Sequence, residues 1–128
     1  MIFVDSSYFV AIADRKDRWH RQALRLSSAF NKGLLVSDFV ISETVTTVGN
    51  RGGSRVARSL FEFLKESCEV EYVDSRLLDE AGNYYQQFDG HLSLSQCAAL
   101  AIMARRGVSK ILSFNAAFDQ VEGIERVR

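Results

Sequence analysis

An aspartate stands directly behind an apolar run at the start of the chain, where Ile2-Phe3-Val4 is followed by Asp5. A second polar residue, Asn115, stands behind another such run, Ile111-Leu112-Ser113-Phe114. If both runs are strands of one parallel sheet, both side chains emerge at its carboxyl edge, where loops and helix N-termini converge and ligands bind. Glu43 lies about one turn into the helix expected after Leu34-Leu35-Val36, close enough to the same edge to converge with Asp5. Two carboxylates delivered by separate elements can hold a hard cation such as Mg²⁺, which takes one or two protein carboxylates and keeps several waters.

The elements that must position these groups are legible in the apolar pattern. Ile2-Phe3-Val4 reads as a strand, and Asp5-Ser6-Ser7 supplies polar residues that can open a helix. Trp19, Ala23, Leu26 and Phe30 are spaced as one helix face that ends near Asn31-Lys32-Gly33. After the strand Leu34-Leu35-Val36, Ser37 and Asp38 can cap a helix carrying Val40, Ile41, Val45 and Val48, which runs out at Gly49-Asn50-Arg51-Gly52-Gly53. Ala57, Leu60, Phe61 and Leu64 predict a further helix before a strand Val70-Glu71-Tyr72-Val73. Two more helical stripes follow, Leu77, Ala81, Tyr84, Phe88 and then Leu94, Cys97, Ala98, Ala101, the second closed by Gly107. Ile111-Leu112 starts a strand and Ile124-Glu125-Arg126-Val127 can add an edge. Short strands alternating with longer helices imply right-handed crossovers and a largely parallel sheet covered on both faces, a three-layer α/β/α domain.

Composition narrows the function classes. A chain of 128 residues with 47% hydrophobic content predicts one domain, residues 1–128, with a real core. Sixteen basic and sixteen acidic residues cancel, so any nucleic-acid contact must come from a local patch. Cys68 and Cys97 lack zinc-ligand spacing and argue against a disulfide framework; both read as buried small apolar residues. The apolar stretch Tyr8 to Ala13 is too short to span a bilayer and no signal peptide is recognisable, so a cytoplasmic location and no membrane partner are expected. A Rossmann-like ligand binder would fit the α/β pattern, but the glycines at 49, 52 and 53 follow a helix and form no dinucleotide-binding loop.

Four segments, in order, give the chain a family likeness: Ile2-Phe3-Val4-Asp5-Ser6-Ser7, Ile41-Ser42-Glu43, Leu92-Ser93-Leu94-Ser95-Gln96-Cys97-Ala98 and Leu112-Ser113-Phe114-Asn115-Ala116-Ala117-Phe118, with Gly123-Ile124 beyond. The set resembles the PIN domain, the small α/β nuclease fold of the VapC-type toxins, over essentially the whole chain. The resemblance implies a Mg²⁺- or Mn²⁺-dependent endoribonuclease acting on RNA, a homodimer, and a small antitoxin protein as partner. It assigns Asp5 and Glu43 to metal binding and catalysis, and puts Gln96 and Asn115 where the family carries two further acids.

Those amides change the expected chemistry. A carboxamide oxygen can ligate a metal or hold a water, but it brings no charge and cannot take a proton near neutral pH. Asp5 and Glu43 alone supply a formal charge of −2, so weak, single-metal binding is expected and a silent PIN module that binds RNA or protein is the alternative. Asp89 and Asp119 lie near the altered motifs and are candidate substitutes, or else plain surface or capping acids.

Other groups carry two readings each. Ser6 and Ser113 are candidates to hydrogen-bond Asp5 or a metal-bound water, with Ser6 alternatively a helix cap. His20 and His91 are candidate general bases by residue type but lie outside the matched motifs, which favours surface roles. Arg51, Arg55, Arg58, Arg105, Arg106 and Lys110 flank turns and are candidate phosphate contacts, or solvated helix-end charges. Tyr84, Tyr85 and Phe88 read as a core stripe or dimer face before a base-stacking platform.

Overall fold

Five short parallel strands form the central sheet of the computed structural model, which describes residues 1–29 and 33–128. They are β1 (Ile2–Val4), β2 (Leu34–Ser37), β3 (Glu69–Glu71), β4 (Lys110–Leu112) and β5 (Glu125–Val127), in the spatial order β3-β2-β1-β4-β5. Phe3 is in register with Leu35 on one side and Ile111 on the other. Chain order runs outward from β1 to β3 and then resumes on the opposite side of β1 with β4. The sheet therefore has its switch point between β1 and β4, the place at which open α/β sheets take ligands at the strands' carboxyl ends.

Six α-helices make the outer layers: α1 (Ser6–Ala13), α2 (His20–Leu26), α3 (Asp38–Gly52), α4 (Ser54–Ser67), α5 (Ser75–Gln87) and α6 (Leu94–Arg106). α1 packs on α2 and α3, α3 on α4, and α5 on α6. Three of them begin at a residue that satisfies a free N–H group: the Ser37 hydroxyl accepts from Val40 N, Asp74 accepts from Leu77 N, and Ser93 accepts from Gln96 N. The turn from α3 to α4 rests on Gly53 at φ 91°, a conformation that favours glycine. The apolar residues of β1, β2 and β4, Phe9, and the run Cys97 to Met103 of α6 belong to one core. Among the described residues no helix is long and apolar enough to cross a membrane.

Three boundaries differ from the expected ones. β3 ends at Glu71 because Val73 N leaves the ladder and donates to Asp38 Oδ1. β4 stops at Leu112, since Phe114 N turns to the Ser7 hydroxyl. α2 gives way at Ser27 to a short 3₁₀ turn, Ser27–Ala29, where the Ser27 hydroxyl donates back to Leu24 O. The expected helix end at Phe30, Asn31 and Lys32 lies outside the described residues. Cys68 and Cys97 are buried and unpaired, and burial pushes the Cys68 thiol up to about 11, so both are inert thiols.

Candidate metal and active site

Asp5 is the last residue before α1, in extended conformation, and only 5% exposed. Its backbone N–H donates to Leu112 O, which binds the end of β1 to the end of β4. Two serine hydroxyls donate to the same carboxylate oxygen, Oδ2: Ser7 at 2.9 Å and Ser113 at 2.8 Å. Each serine in turn accepts from the turn beyond β4, Ser7 from Phe114 N and Ser113 from Asn115 N, both at 3.0 Å. The hydroxyls thus lock the carboxylate and the turn together. Burial nevertheless outweighs these hydrogen bonds and raises the Asp5 pKa above the ordinary carboxylate value.

Glu43 arrives from α3. Ser95, in the first turn of α6, donates to its Oε1 at 2.8 Å. Although the Glu43 side chain reaches solvent, surrounding protein raises its pKa, and the charge of Asp5 raises it further. The two carboxylates therefore lie close enough for the charge of one to act on the other. Neither Asp5 Oδ1 nor Glu43 Oε2 receives a side-chain hydrogen bond among the described residues. Two mutually repelling carboxylates suit a single hard cation that retains waters. They do not suit two: no group of three or more His, Cys, Asp or Glu side chains is gathered among the described residues.

Gln96 and Asn115 commit their amide oxygens to nearby backbone. Gln96 turns its carboxamide back on its own helix, where Oε1 accepts from Ser93 N at 2.9 Å to complete a capping box. Asn115 Oδ1 accepts from Ala117 N at 2.9 Å and opens the 3₁₀ turn Ala116–Gln120. Both amide oxygens satisfy local backbone. The substitute acids are elsewhere: Asp89 is an exposed residue at φ 54°, and Asp119 is held by Arg126.

Three contributors were not singled out by the sequence. Ser7, rather than Ser6, reaches Asp5; the only prior sign was its place two residues along in the first turn of α1. Ser95 could have been found as the residue beside Gln96 in the matched motif. Arg126 had no sequence signal. It sits in edge strand β5 with its side chain 4% exposed, donates to both oxygens of Asp119 at 2.8 Å, and donates to Ser113 O at 3.2 Å. It clamps the turn that carries Ser113 and Asn115. Arg126→Lys should therefore melt about 5 °C below the parent in a calorimetric scan, because an ammonium cannot reach all three acceptors at once. An unchanged melting temperature would show that the clamp holds nothing.

Most of the remaining candidates have structural partners, whereas the side chain of Arg55 is exposed and forms no salt bridge among the described residues. His20 Nδ1 lies 2.6 Å from Ala11 O and ties α2 to α1, and His91 is exposed. Arg51 bridges Asp14 and Asp17, Arg58 pairs with Glu62, Arg105 with Asp74, Arg106 with Glu69 and Glu71, and Lys110 with Glu125. Tyr84 and Phe88 stack on one another and pack against the core.

Comparison with known proteins agrees with this geometry. The family model described as PIN domain matches residues 2–124. A Mycobacterium tuberculosis protein described as 23S rRNA-specific endonuclease VapC20 is 28% identical over 127 residues, covering 98% of this chain and 97% of that one. The crystal structure of VapC20, a Sarcin-Ricin loop cleaving toxin, superposes with a TM-score of 0.86 at 25% identity over 93% of each chain. A toxin-antitoxin complex from Klebsiella pneumoniae shares the fold at a TM-score of 0.74 and 13% identity, covering 98% of this chain and 96% of that one.

Proposed function

We propose that this chain, which belongs to the PIN domain family, is a VapC-like toxin: a divalent-metal-dependent endoribonuclease held in check by a small antitoxin. The observation that carries the reading is the pairing of Asp5 and Glu43 at the switch point of the sheet, each bound by serine on one side and each with its pKa raised. The likeness to an rRNA-specific endonuclease over nearly the full length supports RNA as the substrate, and the VapBC and other toxin-antitoxin complexes among the similar folds support the antitoxin. A homodimer in the cytoplasm accords with the same reading.

Asp5 and Glu43 would hold one Mg²⁺ or Mn²⁺, which when bound polarises a phosphodiester and lowers the pKa of a water. This chain's own residues do the rest. Ser7 and Ser113 fix the rotamer of Asp5, and Ser95 fixes that of Glu43, so the carboxylates need not reorganise when the cation arrives. Gln96 and Asn115 supply neither charge nor a proton acceptor. The second reading, a PIN module that binds without cutting, rests on that observation: both amide oxygens are already bonded to local backbone.

Titration of the parent and of the double variant Gln96→Asp/Asn115→Asp with Mn²⁺, followed by incubation with mixed RNA, separates the two. An active toxin gives one weak Mn²⁺ site and metal-dependent cleavage in the parent, with affinity about tenfold higher or more in the variant as charge is restored. Cleavage by the variant alone would favour the silent module. If the variant binds Mn²⁺ no better than the parent, the pocket is misassigned.

A further inference from the structure

The chain is neutral overall, so its free positive charge has to be located residue by residue. Most arginines outside the first quarter of the chain are committed to carboxylates. By contrast Arg15, Arg18, Arg21 and Arg25 are all exposed, and none forms a salt bridge among the described residues. They occupy one stretch, the loop between α1 and α2 and then α2 itself, where Arg21 and Arg25 are four residues apart on one helix face. The acids in that stretch, Asp14 and Asp17, are drawn off by Arg51. Each also pins its own loop, Asp14 through Lys16 N and Asp17 through Trp19 N, both at 2.9 Å.

The stretch is physically joined to the carboxylate site. Arg18 lies over the Trp19 ring, 4.7 Å from its centroid. Trp19 stacks on Phe114 at 5.3 Å and 9°, and Phe114 N is bonded to Ser7, which holds Asp5. A cation resting on an indole is oriented in advance, and a planar guanidinium matches a phosphate's oxygens.

We propose that the Arg15 to Arg25 segment is the track along which the substrate RNA lies, with Arg18 on Trp19 receiving the phosphate nearest the Asp5 site. This rests on the RNA-cleaving reading above and goes beyond it by naming the surface that holds the strand. An acidic polypeptide would also be drawn to these charges. RNA is favoured because a guanidinium is held on an aromatic stack that is joined through Phe114 and Ser7 to Asp5, an arrangement that aims a phosphate at the carboxylate site.

Trp19 is the sole tryptophan, so its emission reports directly on the site. A single-stranded RNA oligomer is titrated in EDTA into the parent, into Arg15→Gln/Arg18→Gln/Arg21→Gln/Arg25→Gln, into Arg18→Gln alone, and into Arg58→Gln, which removes one positive charge as Arg18→Gln does and serves as its control. The expected result is a Trp19 signal in the parent, affinity at least about tenfold weaker in the quadruple variant, and a log–log salt dependence shallower by about 3, with the control unchanged. Arg18→Gln alone should weaken binding severalfold, so the proposal stays testable if the quadruple variant folds poorly. Equal binding by parent and quadruple variant would overturn the track while leaving the nuclease reading intact. A parent that binds no RNA would overturn both. Polyglutamate that binds as tightly as RNA, with the same loss in the variant, would overturn it in favour of an acidic protein partner.

Discussion

Asp5→Asn is expected to weaken Mn²⁺ or Mg²⁺ binding by at least about a hundredfold, abolish metal-dependent cleavage, and yet raise the melting temperature of the metal-free protein. The first effects follow from removing one of two carboxylates at the site. The last follows from the direction of the Asp5 pKa, which burial raises above its unfolded value. A carboxylate raised in this way contributes stability at pH below its unfolded pKa, and that contribution is lost as pH rises through the folded pKa. At neutral pH the ionised Asp5 therefore burdens the metal-free fold, and asparagine, with the same shape and no charge, relieves it. Glu43 is shifted in the same direction, so metal affinity in the parent should fall with pH sooner than ordinary carboxylates would require, through proton competition at both ligands. Calorimetric titration and thermal melts of the two proteins check both signs. A variant that melts below the parent without metal would refute the burden on Asp5, and one that still binds metal would refute its role as ligand.

Phe118→Ala should cost about 3–5 kcal/mol, lowering the melting temperature by roughly 10–20 °C. Phe118 is fully buried and belongs to the main core, although it lies in the 3₁₀ turn Ala116–Gln120 that Asn115 opens and Arg126 clamps. Its ring seats the turn on the core, so its loss leaves a cavity beneath the segment that supplies Ser113 to Asp5. Domains of this size hold only about 5–15 kcal/mol in total, so the expected loss is a large fraction. Chemical denaturation gives the value directly, and a loss below about 1 kcal/mol would show that the turn is anchored elsewhere.

The sequence by itself determined the alternation of elements and which polar residues leave the strands at the carboxyl edge of the sheet. Apolar spacing of two kinds is enough for the first, and the second follows because Asp5 and Asn115 directly follow strand-forming runs. Ser37 and Gly107 were readable as helix ends, since their requirements are local. Asp5 and Glu43 were likewise legible as a pair, because strand exit and helix phase place them near the same edge.

Only the tertiary structure decided what each polar group does there. Gln96 and Asn115 occupy motif positions in the chain, but their oxygens serve backbone amides within three residues, a choice of rotamer that spacing cannot express. Arg51 stood beside a glycine turn as a candidate phosphate contact, and was claimed instead by Asp14 and Asp17, more than thirty residues away. Arg126 gave no signal at all, because its role comes from β5 lying beside β4, a pairing set by sheet order. Hydrogen bonds and ion pairs between distant residues depend on side-chain directions in three dimensions, whereas a linear pattern carries only the period and the edge.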